Sequence, residues 1–383
     1  MPNTDPILAS EPPPSPVDVA AAVVRTDAGV SLGQDAWRRL RKNRVAMICL
    51  ATLVSIAALA FFTPLLPLQP PDAIDTPQQY APPQLRPLWQ NTLPVAKFVA
   101  AQAETADAAS IQRPYRDAGF PQLSALSRAM VQARLKIFGS WQLGSICGRD
   151  ELGRDVLSRV FWGARISLIV GIVAAAVSLV IGVTYGSIAG YVGGRIDNAM
   201  MRFVDVLYSV PFIFVVIFLL TILGQEDVKA WLTSHGISRL TIFYLVVGAI
   251  YWLTMARVVR GQVISLKTEP FVEAARAMGV TQTGIIARHI FPNLVGIVIV
   301  YLTLTIPRVM LFEAFLSFLG LGVEPPDVSW GLLANEGIKV ITPVKIYWWL
   351  IVYPSAALGL TLYALNFLGD GLRDALDPKL ARR

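Results

Sequence analysis

Two glycines, Gly148 and Gly153, have the separation found at the two ends of a phosphate-binding loop. In such a loop the second glycine precedes lysine and then serine or threonine, which hold phosphate and Mg²⁺. Here Gly153 precedes Arg154 and Asp155, and no buried strand comes before the segment. The sequence therefore predicts no nucleotide site there, and no other segment has the pattern.

Cysteine and histidine are scarce, with only Cys49, Cys147, His235 and His289 in the chain. They form no cluster with carboxylates at the spacing of metal ligands. Cys49 lies in an apolar run and Cys147 lies outside any such run, so a disulfide between them is not expected. We predict no catalytic residue, no metal site and no cofactor in this chain, which is not expected to be an enzyme.

Two charged residues, Arg308 and Glu313, interrupt a long apolar run. A charge at membrane depth is costly, and such residues usually face a cavity or an oppositely charged partner. Five positions separate the two, about 140° around an ideal helix, so they are poorly placed to pair with each other. We predict that both residues line a pathway, or that they pair with another subunit.

The segment 258–293 lies between two apolar runs and is too long for a tight turn. Pro270 suits the first turn of a helix. Gly279 allows a sharp turn, and Thr281 can cap a second helix that runs to about His289. Pro292 then marks the return to the membrane. The sequence predicts a helix–turn–helix across one membrane face.

The first of these two helices has the composition of a docking element. Ala274, Ala275 and Ala277 are small enough to let a partner approach closely, and Phe271 and Met278 would supply apolar anchors. An ordinary amphipathic surface helix would show a similar pattern. Composition alone leaves both interpretations open.

The elements that position these residues are membrane spans. Hydrophobic residues make up 54% of the 383 positions and charged residues only 15%, against about 25% in soluble domains. Six segments are long enough to cross a bilayer as helices. They are 45–66, 166–189, the run between Asp205 and Glu226, 240–256, 294–318 and 346–368.

Basic residues orient the spans. They concentrate before the first span, between the second and third, between the fourth and fifth, and after the sixth. Six spans place these four segments on one side, which the positive-inside rule makes the cytoplasm. Both termini are therefore predicted to be cytoplasmic.

Four regions follow from this topology. We predict a disordered cytoplasmic tail at 1–35, an amphipathic lead-in and first span at 36–66, an external insert with an interfacial helix at 67–165, and a five-helix core at 166–383. Within the insert, 97–138 is predicted to form one or two amphipathic helices. Gly182, Gly186 and Gly190 recur every four residues in the second span and predict close helix packing rather than substrate contact.

Several motifs together resemble one protein family. They are Glu273-Ala274-Ala275 with Gly279 and Arg288–Asn293, the run Asp150–Leu168, the run EAFLSFLGLG from Glu313, and the tail Gly369–Pro378. This combination resembles C-type permease subunits of binding-protein-dependent ABC importers for oligopeptides, dipeptides and nickel, with the closest likeness to oligopeptide permeases. Arg149 stands where the family usually has threonine.

The resemblance implies an all-α membrane protein with six transmembrane helices in the type I ABC importer permease fold. It implies a homologous second permease, two ATPase subunits that bind ATP and Mg, an external substrate-binding protein, and a location among the lipids of the bacterial inner membrane. It also implies that Glu273, Ala274, Ala275, Gly279 and Pro292 couple to the ATPase. Arg308 would then meet a peptide carboxylate or form a buried pair with the second permease.

Three alternatives remain at this point. Nickel or another small solute could use the same permease scaffold. A secondary transporter would need coupling-ion ligands near the membrane centre and internal repeats, and Glu313 is the one candidate carboxylate. A membrane receptor that transports nothing would not require the 258–293 segment.

Overall fold

A computed structural model of the chain describes residues 32–85, 88–91, 115–116, 119–121, 123–139, 141–235 and 239–376. The predicted tail therefore lies outside the described residues except for 32–35, and so does the first predicted helix of the insert. In chain order the helices are α1 (Leu32–Lys42), α2 (Arg44–Phe62), α3 (Ala125–Phe138), α4 (Val156–Val192), α5 (Gly194–Ser209), α6 (Phe212–Leu223), α7 (Glu226–Ser234), α8 (Arg239–Leu266), α9 (Pro270–Ala277), α10 (Gln282–Ile285), α11 (Phe291–Phe318), α12 (Trp330–Lys339) and α13 (Trp349–Leu376).

The predicted all-α membrane fold is confirmed. Within the described residues, four helical stretches are long and apolar enough to span a bilayer: Arg44–Leu65, Val156–Val192, Gln282–Phe318 and Trp349–Leu376. Two bent helix pairs raise the number to six. The chain is thus a multi-pass membrane protein, and each of the six candidates overlaps one of the six predicted segments.

The third predicted span is broken. α5 and α6 meet at 81°, and Val210 and Pro211 lie between them. A proline disfavours helical geometry in the residue before it and cannot donate a backbone hydrogen bond, so the helix ends before Pro211. The fourth predicted span, α8, is bent by 41° between Ala249 and Tyr251.

The separate interfacial helix predicted before residue 166 is wrong. Val156 and the residues after it form the first turns of α4, which runs without a break for 37 residues. Asp155 begins the helix, because its side chain accepts a hydrogen bond from the backbone N–H of Ser158 at 2.8 Å. Arg159, in the first turns of α4, is buried against carboxylates described below.

The glycine stripe on α4 confirms the predicted close packing. An ideal Cβ on Gly186 would lie 2.4 Å from the carbonyl oxygen of Ala256, and one on Gly182 would lie 2.5 Å from Cβ of Met255. Only glycine at these positions lets the backbones of α4 and α8 approach so closely. These two helices form the centre of the molecule.

The described part of the insert is a small layer against the N-terminal end of α4. Strand β1 (Trp89–Asn91) pairs antiparallel with β2 (Trp141–Leu143). The predicted second amphipathic helix is confirmed as α3, and Ser124 caps its start. Its buried Val131 and Leu135 pack with Trp162 of α4. Burial also lowers the pKa of the Arg134 guanidinium to about 10.

Candidate functional site

The loop of residues 267–293 joins α8 to α11 and contains the predicted helix–turn–helix. Pro270 occupies the first turn of α9, and Glu269 is the residue before that helix. Gly279 follows α9 with φ of +79°, a left-handed conformation that a Cβ disfavours. No neighbouring atom lies within 4 Å of an ideal Cβ at Gly279, so its backbone conformation alone favours glycine.

The second helix of the predicted helix–turn–helix does not end near His289, as predicted. It continues directly into the next span. Thr281 caps α10 as predicted, its hydroxyl accepting from the backbone N–H of Gly284 at 3.3 Å. A π-helical turn, Ile286–Ile290, joins α10 directly to α11. Pro292 lies in the first turn of α11, where the wide π turn accommodates its missing N–H.

One face of α9 is packed into the chain's own core. Val272 is 0% exposed and Ala275 is 1% exposed, and both contact a cluster that includes Val263 of α8 and Ile285 and Ile290. The prediction that Ala275 lets a partner approach is therefore wrong, because the residue is covered by the protein itself. Its small size instead lets α9 pack against α10 and the turn that follows α10.

The opposite face of α9 is open. Phe271 is 40% exposed and Met278 is 76% exposed, and Glu273, Ala274 and Ala277 are also exposed. Two large apolar side chains beside two small ones make an exposed apolar surface, which suits a partner with a complementary apolar groove. The predicted residue Pro292 is exposed as well.

Two ion pairs link α8, the helix before this loop, to α5. Arg260 of α8 donates to both carboxylate oxygens of Asp197 of α5, at 2.5 and 2.6 Å. Arg257 donates to Asp205 at 2.6 Å and lies 4.0 Å from the centre of the Tyr208 ring. Sequence reasoning used these arginines only for topology. The alternation of Asp and Arg between α5 and α8 is the signal that it missed.

The structure separates Arg308 from Glu313. Arg308 is exposed on α11 and lines a groove of about 560 Å³ between α8, α11 and α13, together with Gln262, Tyr301 and Arg373. No carboxylate is among the described residues that line this groove. Arg308 thus occupies a place where a negatively charged group could reach it.

Glu313 is fully buried, which contradicts its assignment to a pathway surface. Its Oε1 accepts a hydrogen bond from the hydroxyl of Ser317 at 2.7 Å. The same hydroxyl accepts from the backbone N–H of Val323, and Asn335 of α12 donates to the carbonyl of Ser317. Glu313 therefore holds the end of α11 to the segment that follows, and the EAFLSFLGLG run is explained by this fold.

A second charged cluster lies at the opposite end of α4. Asp150 accepts from Arg154 and from Arg159, each at 2.7 Å. Arg159 also donates to Glu336 of α12 at 2.5 Å. A cavity of about 460 Å³ borders the cluster. Burial raises the pKa of the nearby Asp72 carboxyl to about 6, although Arg159 and Arg154 oppose the shift.

The described residues contain no group of three or more histidine, cysteine, aspartate or glutamate side chains that could hold a metal ion. Cys49 and Cys147 are buried free thiols. Burial raises the pKa of the Cys147 thiol to about 11, so this group is a poor nucleophile.

Comparison with known sequences gives two family matches. Residues 182–382 match the binding-protein-dependent transport system inner membrane component, a segment that includes α8, the 267–293 loop and α11. Residues 31–83 match the N-terminal transmembrane domain of oligopeptide transport permease C.

Individual relatives agree with these matches. The dipeptide transport system permease protein DppC of Bacillus subtilis is 38% identical over 353 residues, which cover 92% of this chain and 88% of the relative. The oligopeptide transport system permease protein OppC of Escherichia coli is 38% identical over 351 residues, with 92% of both chains covered. The corresponding OppC protein of Haemophilus influenzae is 49% identical over 232 residues, 61% of this chain and 70% of the relative.

Proposed function

The chain belongs to the family of binding-protein-dependent transport system inner membrane components, and from this premise we propose that it is the C-type permease subunit of an ATP-driven oligopeptide importer. It forms half of the translocation pathway, and a homologous permease forms the other half. An external binding protein delivers the peptide. The relatives that carry the words oligopeptide and dipeptide in their names support this substrate class.

The energy comes from two ATPase subunits, which bind ATP and Mg. The observation that carries this proposal is the two-sided nature of α9. Val272 and Ala275 anchor the helix in the core, while Phe271, Ala274 and Met278 point away from it. A surface that is open on one side and packed on the other in a cluster shared with α8 and α11 is suited to receive a displacement and pass it to the spans.

The proposed topology follows. The 267–293 loop and both termini face the cytoplasm, the insert faces outward, and the membrane is the bacterial inner membrane. Support comes from the concentration of basic residues at one end of the spans. In addition, Leu376 at the end of α13 lies beside Gly296 near the start of α11, as six spans require.

Arg308 is the pathway residue of this proposal. Its exposed guanidinium lies in a groove that has no carboxylate among its described lining residues, and it suits the carboxylate at the C-terminus of a peptide. Glu313 is not part of the pathway, because it is buried within the chain. A secondary transporter loses its one candidate ion-binding carboxylate for the same reason.

The test uses the complete importer, with this chain co-expressed with its second permease, ATPases and binding protein. Wild-type proteoliposomes should accumulate a labelled oligopeptide only with ATP inside the compartment that holds the ATPases. Phe271→Ala with Met278→Ala should release the ATPases on affinity purification. The matched control is Val344→Ala with Ile346→Ala, two exposed apolar residues outside the 267–293 loop.

Two results would overturn the proposal. One is ATP-independent uptake, or uptake of nickel rather than of peptide. The other is full retention of the ATPases by the Phe271→Ala and Met278→Ala protein.

A further inference from the structure

The helix before the first span, α1, carries an unusual concentration of positive charge. Residues 32–44 contain five basic residues and one acidic residue, a net charge of +4. The basic residues are Arg38, Arg39, Arg41, Lys42 and Arg44. The acidic residue, Asp35, bonds to Arg39 one turn further along the helix. Four positive charges therefore remain at the point where the chain enters the membrane.

The apolar side of α1 is already covered by protein. Leu40 is 4% exposed and packs with Ala46 of α2 and with Leu372 and Ala375 at the end of α13. Asn43 separates α1 from α2 and caps α2 by accepting from the backbone N–H of Ala46 at 3.1 Å. The helix is thus held against two spans, and its outer surface has a fixed orientation.

The outer surface of α1 combines charge with one aromatic ring. Trp37 is 46% exposed, and Arg38, Arg41 and Lys42 are exposed beside it. Arg41 lies over the Trp37 ring, with its guanidinium carbon 5.8 Å from the ring centre. Among the described residues, no carboxylate forms an ion pair with Arg38, Arg41 or Lys42. This surface lacks a partner of opposite charge within the described chain.

We propose that the exposed face of α1, formed by Trp37, Arg38, Arg41 and Lys42, binds the phosphate headgroups of anionic phospholipids. Its position favours lipid over any other anion, because α2 begins at Arg44 and fixes α1 at the level of the headgroups. Guanidinium groups pair well with phosphate oxygens, and tryptophan prefers the interface between water and hydrocarbon. The spacing of Trp37 and Arg41, four residues apart, lets both meet one headgroup layer.

The proposed contact reaches beyond α1. Because Leu40 packs on Leu372 and Ala375, lipid bound at α1 also restrains the end of α13. The neighbouring Arg373 lines the same groove as Arg308. Anionic lipid would therefore restrain the end of α13, which forms one wall of that groove. The inference does not depend on which solute the protein carries.

The experiment titrates the full chain, purified in a nonionic detergent, with phosphatidylglycerol or with phosphatidylcholine of the same acyl chains. Native mass spectrometry counts the bound lipids. We expect preferential binding of phosphatidylglycerol, and we expect Arg38→Gln, Arg41→Gln and Lys42→Gln together to weaken that binding about a hundredfold. Phosphatidylcholine binding should not change.

The matched control removes three exposed basic residues elsewhere at the same end of the spans, Arg195→Gln, Arg202→Gln and Arg288→Gln. It should keep the preference for phosphatidylglycerol. A salt titration of the wild-type chain gives a second readout that needs no substitution. The preference should disappear near 1 M salt, where the screening length is about 3 Å.

Three results would overturn the proposal. Equal binding of the two lipids by the wild-type chain is the first, and a control that loses as much binding as the α1 variant is the second. The third is loss of a co-purifying protein subunit from the α1 variant with lipid binding intact, because the surface would then bind an acidic protein.

Discussion

Arg159 and Glu336 meet across the end of α4, with Nη1 of the arginine 2.5 Å from Oε2 of the glutamate although 177 residues separate them in the chain. A second bond joins Nη2 to Oε1 at 3.2 Å. Arg159 is 1% exposed, so its charge depends on this pair and on Asp150 for compensation. The pair links α12 to the span that forms the centre of the molecule.

Glu336→Gln should destabilise the protein moderately. Arg159 keeps Asp150 as a partner, and the Glu336 side chain is 30% exposed, so we expect a loss of about 1 kcal/mol. Asp150→Ala should cost more, about 3 kcal/mol, because it removes the carboxylate that two buried guanidinium groups share and leaves Glu336 as the nearest acceptor of Arg159. Thermal unfolding in detergent measures both, and the exposed Glu151→Gln is the control. Equal effects for Glu151→Gln and Asp150→Ala would contradict this assignment.

Asp72 should make the protein less stable as pH rises. Its folded pKa of about 6 exceeds the usual 3.8, so the folded state holds the proton more tightly between these values. The extra stability is complete below about pH 4 and is lost as pH rises through 6, with an upper limit of about 3 kcal/mol. Asp72→Asn should therefore stabilise the protein at pH 7.5 and flatten the profile from pH 5 to 7.5.

The control for the pH experiment is Asp227→Asn, an exposed carboxylate on α7. It should leave the slope of the melting temperature against pH unchanged. A wild-type slope that survives in the Asp72→Asn protein would show that other groups cause it.

Gly186→Ala should separate α4 from α8. The added methyl group would lie 2.4 Å from the Ala256 carbonyl oxygen, which belongs to the backbone and cannot rotate away. We expect a loss of about 1–3 kcal/mol and a lower yield of folded protein. Gly359→Ala in α13 is the matched control, because no atom lies within 4 Å of its ideal Cβ. Similar melting temperatures for the two variants would contradict the packing argument.

Arg308→Ala tests the pathway directly. If Arg308 meets the peptide carboxylate, uptake should fall about tenfold or more while the assembled complex purifies intact. Loss of the second permease on purification would instead indicate a pair between the two subunits, and the pathway role would then be rejected. Lys345→Gln, an exposed basic residue outside the groove, should leave both uptake and assembly unchanged.

Much of the fold follows from the sequence because apolar length is a local property. Each of the six spans depends on the length of one apolar run. The close packing at Gly186 and the turn at Gly279 each depend on a glycine in one segment. The break at Pro211 was not predicted, although a proline at the start of an apolar run disfavours a continuous helix and is a local signal of the same kind. Local signals were sufficient for these features.

The errors arose where a residue's role depends on distant parts of the chain. Ala275 resembles its exposed neighbour Ala274, and only the packing of Ile285 and Ile290 distinguishes the two. Glu313 was predicted to line a pathway, but in the folded chain Ser317 and the turn after α11 enclose its side chain. The second span was predicted to begin at residue 166, whereas α4 begins at Val156 and carries Arg159, whose partner lies 177 positions away in the chain.

The π-helical turn at Ile286–Ile290 has a mechanical consequence. It makes 282–318 one unbroken rod of 37 residues, about 55 Å long, which begins beside α9 and ends at Phe318. A tilt of about 5° shifts one end of such a rod by about 5 Å relative to the other. Because this helical stretch continues from the loop into the span, a small movement at Thr283 would be passed along the helix to its other end at Phe318.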